Sequence, residues 1–282
     1  MKNLWDKFIN FFNSWTGTFI IVFVIIFFIA QAFVIPSGSM KNTLLIGDNL
    51  FVKKYSYGIP TPTLPWVNWK VLPDFNNNGH LIEGKRPQRG DIVIFLYPKN
   101  PQVHYVKRNV AISGDEVIYT KDGLWIAFSK ENPYSKDSNK SLQYNGKTFY
   151  FEPYVKKHPG VHYEGDIDAF SQLVFLYKNG QEIAMQPILL DDNESAFHYV
   201  VKEDEFFMMG DNRNNSEDSR FWGAVEYRHV VGKPWIIYFS WDDDFKIRWD
   251  RIGKSVESLE EKEIKKLQKG ESTQKNLKEK DK

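Results

Sequence analysis

The chain has 282 residues, and its 37 lysines and arginines nearly balance its 36 aspartates and glutamates. That balance does not indicate a nucleic-acid-binding protein, for which a basic face and a high pI are typical. The sequence contains no cysteine, which excludes disulfides, thiolate catalysis and cysteine-ligated metals. Aromatic residues make up 16% of the chain and 13 prolines are spread along it, a composition that favours strands and turns over a helical bundle.

A long apolar stretch follows a short N-terminal lead. The lead, residues 1–17, carries two lysines and an aspartate, and after it no charge appears before Lys41. A helix needs about 20 apolar residues to cross a bilayer, whereas a cleaved signal peptide has a shorter apolar core followed by small residues. We therefore predict an uncleaved transmembrane helix over residues 18–35. Lysines on both sides leave its direction open, because the positive-inside rule needs an asymmetry.

The rest of the chain has the pattern of a mainly β protein: an antiparallel β-sheet domain over residues 36–252, with one transmembrane helix before it. Short alternating or apolar runs bounded by turn residues predict its strands; they lie near residues 49–55, 91–97, 104–112, 116–119, 226–231 and 235–238, with a hairpin turn at 121–123. Residues 59–88, rich in proline, glycine and asparagine, indicate an irregular insertion, and residues 120–200 a β-rich insertion. Residues 253–282 form a charged tail, predicted to be disordered or a solvated helix.

Ser39 is the first candidate for chemistry, since it lies directly after the apolar run. A serine hydroxyl is a weak nucleophile until a base takes its proton. None of the six histidines lies in a hydrolase-triad motif, and there is no Gly-x-Ser-x-Gly elbow. The histidines also lack the spacing of metal ligands. The base must therefore be sought among other residue types.

Lys107 is the candidate base. It lies in an otherwise apolar strand, where alternation puts it on the same face as Tyr105 and Asn109. A lysine serves as a base only when its amine is neutral, so its usual pKa of about 10.4 must fall by several units, as burial in apolar surroundings can achieve. Alone, the pattern fits a solvated lysine on an edge strand better than a buried base.

A polar loop from Gly210 to Gly223 is the third feature. It is dense in aspartate, asparagine, serine and arginine, as is typical either of a surface loop with Asx turns or of a hydrogen-bonded network that supports a site. In the second interpretation, Asp218 pairs with Arg220, and Ser216 hydrogen-bonds the neutral lysine amine.

Together these segments resemble the bacterial type I signal peptidases, membrane-anchored Ser/Lys proteases. The resemblance covers about residues 18–58, 89–118 and 205–240, and leaves both insertions outside. Four motifs carry it: Ile35-Pro-Ser-Gly-Ser-Met40 with Thr43-Leu44; Gly47-Asp48 with Tyr57-Gly58; Arg89-Gly-Asp-Ile-Val-Ile-Phe95 with Lys107-Arg108 and Gly114-Asp115; and Gly210-Asp-Asn-Arg213 with Asn215-Ser216, Asp218-Ser-Arg220 and Trp222-Gly223. Three departures, at Asn42, Ser113 and Asn214, bear on local rigidity rather than on a proposed catalytic group.

The resemblance implies a role for each matching residue. Ser39 would be the nucleophile and Lys107 the general base, and Ser37 with the Ser39 backbone N–H would form the oxyanion hole. Ser216 would orient Lys107, and Asp218 with Arg220 would stiffen the loop. Pockets for the small residues before the cut would be lined by Phe33, Ile35, Leu44, Leu50, Ile94, Tyr105 and Val106.

The resemblance also implies the setting. The protein would be a monomer that needs no metal or other cofactor and binds no nucleic acid. It would cleave signal-peptide-bearing preproteins at Ala-x-Ala-like sites. It would be held in the lipid bilayer of the cytoplasmic membrane by a single span, with the catalytic domain on the periplasmic or extracytoplasmic side.

Two other interpretations are compatible with parts of the sequence. A self-cleaving Ser/Lys repressor-type protease can share the dyad and the core sheet, but the apolar run and the lack of a DNA-binding helix pair argue against it. An inactive, membrane-anchored β-rich scaffold is disfavoured because both Ser39 and Lys107 are retained.

Overall fold

The computed structural model describes residues 2–24, 30–62, 71–130, 140–163, 168–191 and 193–265. Its helices are α1 Lys2–Phe12, α2 Trp15–Val24, α3 Ala169–Lys178, the single turn α4 Ser219–Trp222, and α5 over residues 256–265. Two short 3-10 turns lie at Gly38–Met40 and Tyr227–His229.

The strands are β1 Ala30–Val34, β2 Asp48–Lys53, β3 Gly58–Pro60, β4 His80–Glu83, β5 Ile92–Tyr97, β6 Asn100–Ile112, β7 Glu116–Thr120, β8 Gly123–Ala127, β9 Ser141–Tyr144, β10 Lys147–Phe151, β11 Gln186–Leu189, β12 Ser195–Val200, β13 Glu205–Met209, β14 Val225–Glu226 and β15 Val230–Ser240. They form a seven-stranded sheet in the order β1-β2-β15-β5-β6-β13-β14, a six-stranded sheet in the order β11-β12-β7-β8-β10-β9, and the pair β3-β4. Every pairing between these strands is antiparallel, which confirms the predicted mainly β class.

The predicted strands near residues 49–55, 91–97, 104–112 and 116–119 correspond to β2, β5, β6 and β7, and the predicted hairpin turn joins β7 to β8. The insertion over residues 120–200 is β-rich, as expected, but it also contains helix α3. The side chain of Asp168 caps that helix by accepting a hydrogen bond from the Phe170 N–H.

The two late strands expected near residues 226–231 and 235–238 are instead a 3-10 turn followed by one long strand, β15. Pro234 lies inside β15, and the register against β2 shifts directly after it. Because proline has no N–H to donate, a strand accommodates it at such an irregularity.

The predicted transmembrane helix over residues 18–35 does not extend to its expected end. Residues Ala30–Val34 form strand β1, which pairs with β2 from Ala30 opposite Lys53 to Val34 opposite Asn49. In this pairing the backbone N–H and C=O groups along one edge of β2 find hydrogen-bond partners. A helix in the same place could not provide those partners. Residues 25–29 of the predicted span lie outside the described residues. Within the described ranges, none of the helices has the length and apolar character needed to cross a bilayer.

One hydrophobic cluster lies beneath the segment that carries Ser39. Its buried members come from widely separated parts of the chain: Ile35, Met40, Leu44, Leu50, Val52, Ile92, Ile94, Val231, Ile237 and Val256. The presence of Val256 differs from the expectation of a disordered or solvated tail. Val256 and Leu259, three residues apart, give α5 an apolar edge that packs here, while residues 266–282 lie outside the described part.

We expect Leu50→Ala to lower the free energy of unfolding by about 2–5 kcal/mol, because it removes a large side chain from a closely packed core. Leu50 is 0% exposed within this cluster. The measurement is denaturant unfolding of the detergent-solubilised chain, with Ile46→Ala, at a residue that is 42% exposed, as the control. Equal losses in the two variants would contradict this description of the core.

Candidate active site

Ser39 and Lys107 meet at the surface of the seven-stranded sheet. Ser39 lies on the 3-10 turn that follows β1, and Lys107 lies in β6. Lys107 Nζ is 2.6 Å from Ser39 Oγ, which is a hydrogen-bonding distance. The two residues are only 8% and 4% exposed, so their contact is largely withdrawn from solvent.

Burial determines the protonation of Lys107. It lowers the pKa of the lysine from 10.5 to about 8, and although the negative charge of Asp218 acts in the opposite direction, burial prevails. A substantial fraction of the amine is therefore neutral at mildly alkaline pH. A neutral amine at hydrogen-bonding distance from a hydroxyl can accept that hydroxyl's proton.

Ser37 contributes a second hydroxyl to the same place. Its Oγ lies 3.4 Å from Ser39 Oγ, and both residues line one groove. The Ser37 hydroxyl is thus a donor within reach of an atom bonded to Ser39 Oγ.

The loop over residues 210–223 packs against the segment that carries Ser39. Asn212 N–H donates to the Ser39 carbonyl oxygen at 3.0 Å. A Cβ at Gly210 would lie 2.6 Å from that oxygen and 2.3 Å from Ser216 Oγ, so only glycine fits there. Ser216 Oγ is buried and has no hydrogen-bond partner among the described residues, so the expected bond to Lys107 is not formed in this structure.

The structure pairs Asp218 with Arg220 in a two-point contact. Arg220 Nε donates to one carboxylate oxygen and Nη2 to the other, each at 2.8 Å, and both side chains are fully buried. The same carboxylate accepts the Gly210 N–H at 3.1 Å. Burial alone would raise the pKa of Asp218, but the charge and hydrogen bonds of Arg220 outweigh it and hold that pKa below its usual value.

A second buried ion pair adjoins the site, and the sequence assigned it no role. Arg108 donates through Nε and Nη2 to the two oxygens of Asp211, each at 2.7 Å, and both side chains are fully buried. Thr43 Oγ1 donates to the same carboxylate at 2.5 Å. The pair therefore links the strand of Lys107, the polar loop and the chain just after Ser39. The sequence could have indicated this pair, because Arg108 lies in an apolar strand and a buried charge needs a partner.

A groove of about 350 Å³ leads to Ser39. It is lined by Phe33–Ser39 on one side and Val103–Lys107 on the other, with Asn215 and Glu217 at its rim. Of the seven residues expected to line substrate pockets, four line this groove: Phe33, Ile35, Tyr105 and Val106. Leu44, Leu50 and Ile94 do not line it; they are fully buried in the core beneath, because their side chains face the packed interior of the sheet.

The sequence analysis also missed part of the groove. It did not single out Asn215, Glu217 or His104 as lining residues. The ring of His104 packs edge-on against Phe33, with centroids 4.9 Å apart. Over the ranges that the structure describes, no group of three or more histidine, aspartate or glutamate side chains could hold a metal ion.

Comparison with known proteins now identifies the chain. The model of the family described as signal peptidase, peptidase S26, matches residues 8–239. Signal peptidase I of Helicobacter pylori strain J99 is 47% identical over 277 residues, which cover 89% of this chain and 93% of that protein. Signal peptidase I of Pseudomonas aeruginosa is 32% identical, covering 82% of this chain and 72% of its own. A crystal structure of a signal peptidase I from Enterococcus faecalis V583 is 25% identical and covers 53% of this chain and 97% of that chain, with a TM-score of 0.26, too low to support an argument.

These sequence relationships define the chain as a serine peptidase, a hydrolase. It belongs to the signal peptidase family, peptidase S26, and within that family to the bacterial type I signal peptidases.

We expect Arg220→Met to destabilise the fold by about 3–5 kcal/mol, because it leaves the buried Asp218 carboxylate without its partner. Arg228→Met is the matched control: Arg228 pairs with Glu226 at the same two-residue spacing, but the side chains are 54% and 49% exposed. Its loss should stay below about 0.5 kcal/mol. Denaturant unfolding checks both, and an Arg220→Met protein as stable as the control would refute the importance of this pair.

Proposed function

We propose that the protein is a membrane-anchored endopeptidase that removes N-terminal signal peptides from exported preproteins, with Ser39 as nucleophile and Lys107 as general base. The observation that carries the proposal is the 2.6 Å contact between Lys107 Nζ and Ser39 Oγ, made by a buried lysine whose pKa is lowered to about 8. The relatives of this chain, at up to 47% identity in the comparisons above, are named signal peptidase I.

The mechanism follows from these two groups. Neutral Lys107 takes the Ser39 proton while Oγ attacks the carbonyl carbon of the scissile peptide bond. The resulting ammonium group returns that proton to the leaving amine, and the acyl group remains as an ester on Ser39. Lys107, neutral again, then takes a proton from the water that attacks the ester carbonyl, and it gives that proton to Ser39 Oγ as the ester bond breaks, which regenerates both groups. With the pKa at about 8, roughly a tenth of the amine is neutral at pH 7.

The groups around this pair would stabilise the tetrahedral intermediate and orient the base. The Ser37 hydroxyl and the Ser39 backbone N–H would donate to its oxyanion. Ser216, whose buried hydroxyl lacks a partner among the described residues, would orient the Lys107 amine during turnover. The pair of Asp218 and Arg220 would keep the loop that carries Ser216 rigid.

Specificity would come from the groove. An extended peptide between the segments 33–37 and 103–107 would add to them as a strand, and its alternate side chains would point into the groove. A volume of about 350 Å³, bordered by Phe33, Ile35 and Tyr105, suits small side chains such as alanine better than large ones. We therefore propose cleavage after Ala-x-Ala-like sequences.

Membrane attachment would come from the residues before β1. Large apolar side chains of α1 and α2 are exposed, with Trp5 at 64%, Phe8 at 54%, Trp15 at 83% and Phe19 at 70%. A concentration of exposed aromatic residues is typical of a surface that contacts lipid. Since β1 begins nine residues before Ser39, this segment would hold the nucleophile near the membrane. We propose a single span in the cytoplasmic membrane, with the catalytic domain on the extracytoplasmic side.

The test is incubation of the detergent-purified chain with a preprotein that carries Ala-x-Ala before its mature start. We expect wild type to cut once, after the last alanine, and Ser39→Ala and Lys107→Ala not to cut while retaining the circular dichroism spectrum of the fold. Ser141→Ala and Lys99→Ala, at exposed positions, serve as matched controls and should cut normally. Mass spectrometry of the products locates the cut.

Two outcomes would contradict the proposal separately. Failure of the folded wild-type protein to cut any such preprotein would refute signal-peptide removal. Cutting by Lys107→Ala at the wild-type rate would refute the dyad.

We further expect Ser37→Ala to lower kcat by about 10²–10³-fold, the usual cost of one lost oxyanion donor. Ser37→Thr, which keeps a hydroxyl, should retain most of the rate. Steady-state cleavage of a signal-peptide substrate measures both, and an unchanged kcat in Ser37→Ala would remove Ser37 from the oxyanion hole.

A further inference from the structure

Arg108, the residue directly after Lys107, is held by more partners than its pairing with Asp211. Its Nη2 also donates to Glu260 Oε1 at 2.6 Å, and its Nη1 to the Gly90 carbonyl oxygen at 2.7 Å. Nη1 lies 2.9 Å from His158 Nδ1 as well. Burial lowers the pKa of His158, which favours the neutral imidazole whose Nδ1 can accept this bond. The guanidinium is therefore fixed from several directions.

Two of these partners come from parts of the chain outside the motifs that identify the family. His158 lies in the insertion over residues 120–200, and Glu260 lies on α5, beyond the stretch 8–239 that the family model matches. Arg108 and Glu260 are 152 residues apart in sequence. An element beyond the matched region thus contacts the residue next to the proposed base.

The same helix also packs against the other half of the proposed dyad. Val256, 2% exposed, and Leu259 belong to the cluster that contains Ile35 and Met40, and Met40 directly follows Ser39. The start of the helix is fixed as well, because Ile237 N–H donates to the Lys254 carbonyl oxygen at 2.9 Å. The helix therefore has an apolar contact beneath Ser39 and a polar contact beside Lys107.

We infer that α5 is a positioning element for the Ser39–Lys107 dyad, and that Glu260 is the side chain through which it acts on Lys107. Arg108 and Lys107 are consecutive in β6, so their side chains leave opposite faces of the strand. Fixing the guanidinium on one face restricts rotation of the strand about its axis, and this restricts the direction of Lys107 Nζ on the other. A displacement of about 1 Å in a reacting group can cost about 10²-fold in rate.

This inference rests on the proposed function, in which Lys107 activates Ser39. It assigns Glu260 no contact with substrate or with a reacting atom. Substitution of Glu260 should therefore slow the chemical step and leave substrate binding in the groove nearly unchanged.

The test compares Glu260→Ala with Glu261→Ala, which removes the same charge at the next, exposed position of the helix. Cleavage rates are normalised to the folded fraction of each variant, measured by circular dichroism, so that only folded enzyme is counted and the normalisation does not depend on Lys107. We expect Glu260→Ala to lower kcat by about 10–100-fold with KM within about threefold of wild type, and Glu261→Ala to match wild type. Glu260→Gln keeps an oxygen that accepts from Arg108 and should recover kcat to within about fivefold.

The contradicting results are distinct from failure of the proposed function. An unchanged kcat in Glu260→Ala, equal losses in Glu260→Ala and Glu261→Ala, or a rise in KM without a fall in kcat would each overturn the inference while wild type remains active. If Glu260→Ala does not fold, Glu260→Asp decides: its carboxylate is one methylene too short, so we expect reduced kcat, and wild-type kcat would overturn the inference. Inactive wild type would instead refute the proposed function itself.

Discussion

The chemistry proposed for this protein depends on one interaction, a lysine amine buried against a serine hydroxyl. Burying an amine costs free energy unless the amine becomes neutral, and this cost is what lowers the pKa of Lys107. A carboxylate beside the amine would favour the charged form and raise the pKa again. In the part of the chain that the structure describes, Arg108, Arg213 and Arg220 each pair with a buried carboxylate, from Asp211, Glu152 and Asp218 in that order. The contacts of Lys107 Nζ are instead the Ser39 hydroxyl and, at 5.4 Å, the ring of Tyr105.

The three arginine pairs also explain how separate parts of the chain are held around the dyad. Arg108 connects β6 to the polar loop, and Arg220 binds that loop to itself and to Tyr119 of β7, at 2.9 Å. Arg213 joins the loop to the insertion through Glu152 at 3.1 Å. Buried pairs of this kind add little net stability compared with apolar packing, but removing one partner is costly. Here these pairs hold the polar loop in a single arrangement, and Ser39 and Lys107 are positioned against it.

Much of the fold could be predicted because its strands carry strong local patterns. The runs over Ile92–Tyr97 and Glu116–Thr120 are β-branched and aromatic between turn residues, so periodicity and propensity agree. Strand β1 escaped prediction because Ala30–Val34 continues an apolar run, and hydrophobicity alone satisfies helix and strand equally. The packing of helix α5 onto the core escaped prediction because its charged composition resembles a solvated tail, and only two residues supply its apolar edge.

The candidate site, like the fold, could be predicted from the sequence only in part. Ser39 and Lys107 could be proposed from the sequence, because a serine after an apolar run and a lysine within one are chemically unusual and lie in recognisable motifs. Alternation along a strand could not distinguish a side chain that lines the groove, such as Val106, from one in the core, such as Ile94. The contact between Arg108 and Glu260 could not be predicted at all, because it depends on where two distant segments meet in the folded chain.

The most direct test of the account is the pH dependence of Ser39 acylation by a small acylating inhibitor, followed by mass spectrometry of the intact protein. In the proposed mechanism, acylation is the step in which Lys107 takes the serine proton. Because only the neutral amine acts as a base, the rate should rise about tenfold per pH unit well below the pKa and level off above about 8, the pKa that burial gives Lys107. A rate that stays flat between about pH 6 and 9, or an identical rise in Lys107→Ala, would contradict the account.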